Sequence, residues 1–73
     1  MNKLEVANKI AKEFNGRIWS PKGETGIVRV YIGDKGYCQI DDDLVNTNSL
    51  NGHNFQAVKD FLVANDIANK RRA

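Results

Sequence analysis

Few side chains capable of chemistry are brought together by their spacing. His53 is the sole histidine, and Ser20 and Ser49 are the only serines. Neither serine lies in a Gly-x-Ser-x-Gly elbow. Without a nucleophile beside it, a histidine near a helix start reads as a capping or surface group. The lone cysteine, Cys38, falls on the apolar row of an alternating segment, where a free thiol packs as a small hydrophobe. A reactive thiol needs exposure and positive surroundings. Asp41-Asp42-Asp43 is the one run that could attract a divalent cation, but a calcium loop wants Gly at its sixth position and Glu at its twelfth. Counted from Asp41, those places hold Asn46 and Gly52. Gly23, Gly26, Gly33 and Gly36 do not lead from a strand into a helix, and the Gly-Lys-Ser/Thr of a phosphate loop is missing. The expectation is no catalytic residue, no metal and no cofactor.

A second group is spaced for contact instead. Arg17, Trp19, Arg29, Tyr31, Tyr37 and Gln39 recur at intervals of two within their segments, which places them on one side of extended chain. Trp, Tyr and Arg dominate the energetics of protein interfaces. The same residue types also form stacking platforms for single-stranded nucleic acid, where rings hold bases and cations track phosphates. Lys22 and Lys35 stand at the adjoining loop tips.

The elements that must position these residues follow from periodicity and turn chemistry. Leu4, Ala7, Ile10, Ala11 and Phe14 share one face of a helix, with Val6 at its edge. Asn2 and Glu5 suit a capping box, and Asn15-Gly16 suits the stop, with Gly in the left-handed position. Arg17-Ile18-Trp19 reads as a first strand. The alternating, β-branched segment Ile27–Ile32 and the segment Tyr37–Asp41 read as the next two.

A three-residue turn over Asp34-Lys35-Gly36 predicts Ile32 opposite Cys38, Val30 opposite Ile40 and Arg29 opposite Asp41. Residues 20–26, with Pro21, Gly23 and Gly26, read as an exposed loop. The polar stretch 42–52 reads as a loop whose Leu44, Val45 and Leu50 anchor it to the body or fold it over Trp19. A second helix fits from about Asn54 to Asn65, with Phe55, Val58, Phe61 and Leu62 inward.

The fold class expected is α+β, in the order α-β-β-β-α, with a three-stranded antiparallel sheet and both helices on one face. Residues 1–67 form a single domain in this reading, and 68–73 a basic, flexible tail. The predicted core joins the inward helix residues to Ile18, Val28, Val30, Ile32, Cys38 and Ile40.

Charge narrows the partner. The chain has 73 residues, with Lys+Arg 11, Asp+Glu 9 and a net charge of +2. Lys70, Arg71 and Arg72 lie among the last four residues, and without them eight basic side chains face nine acidic ones. A nucleic-acid-binding domain normally carries its excess on a folded face.

Helix, three strands and helix in about 70 residues resembles in outline the double-stranded-RNA-binding domains. Their Lys-rich start to the second helix is replaced here by Gly52-His53-Asn54-Phe55-Gln56-Ala57-Val58-Lys59, with one Lys. The resemblance therefore stops at element order.

No apolar run approaches the roughly 20 residues of a spanning helix, and the first residues lack the pattern of a secretion signal. One cysteine cannot build a disulfide framework. A cytoplasmic location is expected, with no membrane partner. The function expected is non-catalytic binding, as a regulator or inhibitor acting by protein contact or self-association through the sheet face. Nucleic-acid binding through that face and Lys70-Arg71-Arg72 is the alternative.

Overall fold

Asn2 opens helix α1 (Lys3–Phe14) with the reciprocal hydrogen bonds of a capping box. Its Oδ1 accepts from the Glu5 N–H at 2.9 Å, and Glu5 Oε1 accepts from the Asn2 N–H at 3.0 Å. The helix ends as its sequence suggests, but by a different division of labour. Asn15, not Gly16, takes the left-handed conformation, at φ 54°. Gly16 is required for space: a Cβ there would stand 2.9 Å from both the Tyr31 carbonyl oxygen and Val30 Cγ1.

The computed structural model describes residues 2–34, 36–41, 44–50 and 52–70, except for the side chain of Lys70. After α1 come β1 (Arg17–Trp19), a 3-10 turn at Gly23–Thr25, β2 (Arg29–Tyr31), β3 (Tyr37–Asp41) and β4 (Leu44–Asn46). Helix α2 (Gly52–Ala64) and the short β5 (Asn69–Lys70) complete the order. The strands lie in the order β1-β2-β3-β4-β5, antiparallel from β1 to β4, with β5 parallel to β4. Among the described residues no helix is long and apolar enough to cross a membrane.

The α+β class stands, and the strand count is corrected. Leu44–Asn46, expected within a loop, pairs with β3 through Asp41↔Leu44, Ile40↔Val45 and Gln39↔Asn46. The 20–26 loop also has internal order. Thr25 Oγ1 donates to the Lys22 carbonyl at 2.9 Å, and Lys3 Nζ reaches across from α1 to the Gly26 carbonyl at 3.2 Å.

Register is the second correction. Arg29 lies opposite Gln39, Val30 opposite Cys38 and Tyr31 opposite Tyr37. The Ile32 N–H donates to the Gly36 carbonyl at 3.2 Å, so the turn opens at Gly33, one place earlier than predicted. Gly33, at φ 70°, supplies the left-handed geometry at its start. Gly36 instead lets a neighbouring turn approach closely, since a Cβ there would lie 3.1 Å from the Ser49 carbonyl oxygen.

The change moves each partner by two residues, so side chains keep their faces. Val6, Ala7 and Ile10 of α1 and Val58 and Leu62 of α2 pack with Val28, Val30, Ile32, Cys38, Ile40, Val45 and Leu50. Both helices therefore cover the same side of the sheet. Phe14 and Phe61 join them edge to face, with ring centroids 5.5 Å apart. Every residue of the predicted core belongs to this cluster or packs against it.

The end of the described chain is not free. The Val45 N–H donates to the Ala68 carbonyl at 3.0 Å, and the buried Thr47 hydroxyl donates to Asn69 Oδ1 at 3.2 Å. Residues 68–70, expected in a loose tail, are thus held by backbone pairing and one side-chain amide. Arg71 and Arg72 lie outside the described residues.

Candidate binding face

Strand alternation that buries Val30, Cys38 and Val45 turns the intervening residues to the uncovered side of the sheet. Cross-strand pairing arranges them in rows. Trp19, Arg29, Gln39 and Asn46 follow one another across β1 to β4, and Arg17, Tyr31 and Tyr37 across β1 to β3. Residues expected on one side of extended chain are thereby brought into one patch.

Arg29 organises the centre. Its guanidinium carbon lies 4.4 Å from the Tyr37 ring centroid and 5.4 Å from that of Trp19. Its Nε donates to Gln39 Oε1 at 3.0 Å, and Nη1 donates to the Tyr31 hydroxyl at 3.2 Å. The hydrogen bond to Tyr31 raises the guanidinium pKa, outweighing the opposing effect of desolvation, with electrostatic interaction with Tyr37 and Tyr31 acting in the same upward direction. Tyr31 and Tyr37 pack on each other with centroids 5.2 Å apart. A cation over aromatic faces is attracted by the ring quadrupole, so cluster geometry and charge reinforce each other.

The predicted pairing of Arg29 with Asp41 does not form. Asp41 Oδ1 instead accepts from Gln39 Nε2 at 3.0 Å, so Gln39 stands between the cation and the carboxylate. The register difference causes this, because it moves Asp41 out of the position opposite Arg29. Asp42 and Asp43 lie outside the described residues.

Trp19 is 45% exposed, and the described residues of the 42–52 stretch do not fold over it. Val45 and Leu50 are instead buried in the core, and Leu44 is half-buried on the same side as Asp41. Arg17 is exposed, and with Ile18, Trp19 and Tyr31 it lines a shallow cavity of about 320 Å³. Lys22 lies apart, exposed at the entrance to the 3-10 turn. Among the described residues no hydrogen bond or ring contact joins it to the cluster. Lys35 lies outside the described residues.

Leu44 and Asn46 belong to this face and were missed in the sequence. The signal was slight: Leu44 and Val45 stand side by side in a three-residue strand, so no apolar–polar alternation marks it.

Cys38, at the reverse of the same sheet, is fully buried, and desolvation pushes its thiol up to about 12. His53 is exposed in the first turn of α2. Among the described residues no group of three or more His, Cys, Asp and Glu side chains is gathered. No protein family, curated protein or solved structure matches the chain.

Proposed function

We propose that this chain is a non-catalytic binding module, a regulator or inhibitor that engages another protein through the open side of its sheet. The observation that carries the reading is Arg29 lodged against Tyr37 and Trp19, with the indole still 45% exposed. Interface hot spots combine these residue types, and fixing them in advance lowers the ordering cost of association. Asp41 at one end and Arg17 at the other give the patch both signs of charge, which suits a mixed polar surface better than a polyanion.

One observation favours nucleic acid instead: Asp41 does not engage Arg29 directly, so the cation is freer than the sequence suggested. Against it, the Tyr37 ring already has the guanidinium above it, and Tyr31 packs on Tyr37. A base would have to displace these contacts to stack there. Strong phosphate binding also draws on several cations, and among the described residues Arg17 and Arg29 are the two on this face.

The test is retention of proteins from the native host on immobilised chain, beside a Trp19→Ala/Tyr31→Ala variant with matching circular dichroism. A nuclease-insensitive protein retained by the parent and lost from the variant is expected. Equal retention by both overturns the reading. Recovery of nucleic acid, with affinity falling steeply as salt rises, would establish the alternative.

A further inference from the structure

The rim of the sheet at β1 carries an inference separate from the face proposed above. The Ile40 N–H donates to the Val28 carbonyl at 2.9 Å, and the Ile32 N–H to that of Gly36. Antiparallel ladders alternate, so Val28, Val30 and Ile32 direct their backbone groups at β3, while Arg29 and Tyr31 direct theirs at β1. Their partners Trp19 and Arg17 therefore bond inward, toward β2. The backbone N–H and C=O of Ile18 point outward, off the edge of the sheet. An unpaired strand edge is a template for another strand.

The side chains select which strand. Consider a second copy of this chain approaching β1 about a two-fold axis at Ile18. The two Ile18 residues exchange N–H···O=C bonds, and Arg17 of each copy falls opposite Trp19 of the other. Neighbouring positions in such a ladder are the non-hydrogen-bonded pairs, whose side chains approach most closely. Each indole, already flanked by its own Arg29 at 5.4 Å, would receive a second guanidinium. On the helix-covered side, the half-buried Ile18 would meet its symmetry mate and extend the core across the axis. The cavity lined by Arg17, Ile18, Trp19 and Tyr31 lies at this rim, where the partner's side chains enter.

We infer that the chain self-associates as a two-fold dimer by antiparallel pairing of β1, with reciprocal Arg17–Trp19 contacts across the axis. An isologous contact of this kind needs one self-complementary patch, and a cation two residues from an indole on an edge strand provides it. The ladder is short. The Ser20 carbonyl already accepts from the Gly23 N–H at 3.1 Å, and the Gly16 N–H already donates to the Ala11 carbonyl at 2.9 Å. The dimer therefore sits at the small, reversible end of specific interfaces.

Sedimentation across a concentration series, from about 10 µM to about 1 mM, tests it in a range suited to weak interfaces. The parent chain's average mass is expected to climb from 8.2 kDa toward twice that value. Arg17→Glu, at an exposed position, should weaken association about tenfold or more with unchanged circular dichroism. Tyr37→Ala, on the face but away from the rim, should leave association intact. A parent that stays monomeric at the highest concentration overturns the proposal without touching the face reading. So does association that survives Arg17→Glu. Association lost in Tyr37→Ala and kept in Arg17→Glu would instead make the face the dimer contact.

Discussion

Burial holds the Cys38 thiol near 12 in the folded chain, against 9.0 for an ordinary thiol. The folded state therefore keeps this proton over a window in which the unfolded chain loses it. Stability from the neutral thiol is complete below pH 9 and declines as pH rises toward 12. The expected slope is about 1.4 kcal/mol per pH unit from this one group. Urea unfolding at pH 8, 9, 10 and 11 should show a steeper decline for the parent than for Cys38→Ala. Equal slopes would mean that the thiol ionises as easily folded as unfolded. The burial of Cys38 was legible from alternation alone, since it shares a row with Ile40. The neighbours of Arg29 were not. Alternation tells which residues share a face, and only register tells which of them touch.

Between elements, the same distinction explains what the sequence conceals. Sliding β3 by two places along β2 pairs Val30 with either Ile40 or Cys38, and both registers keep an apolar row. The choice rested with the turn, where Gly33 and Gly36 both adopt positive φ and either could supply its left-handed residue, Gly33 at the start or Gly36 at the close. Helix α1 posed no such ambiguity, because a capping box and a continuous apolar stripe locate one start and one inward face. β4 spans only three residues, too few for alternation to stand out from a polar loop.

Gly16 shows a residue correctly noticed for the wrong reason. Its place after Asn15 suggested backbone freedom, whereas its hydrogen side chain is needed where α1 turns into the sheet against Tyr31 and Val30. Gly16→Ala is expected to cost about 1–3 kcal/mol through overpacking at this junction. The midpoint and slope of urea unfolding measure the loss, and an unchanged midpoint would show that the strand yields without cost.

For the whole molecule, the sequence conveyed two helices on one side of a sheet and left the sheet's far edge unread. The segment that completes that edge is polar, Ala68-Asn69-Lys70, and it binds through backbone groups that leave no hydrophobic signature. This seam differs from the others in how far the chain must travel to make it. Successive antiparallel ladders connect neighbouring segments, but Val45 meets Asn69 only after the whole of α2 has intervened. Closing a longer loop costs more entropy, and two residues of pairing recover little of it. The β4–β5 seam should therefore form last and open first, ahead of global unfolding. Native-state hydrogen exchange can time it: the Val45 amide, held by Ala68, should exchange well before the Ile40 amide, held by Val28. Equal protection would mean that the seam opens only when everything does. If it opens early, a brief excursion of residues 68–70 uncovers the buried Thr47 hydroxyl and the outer backbone of β4, giving the molecule a transient second edge opposite β1.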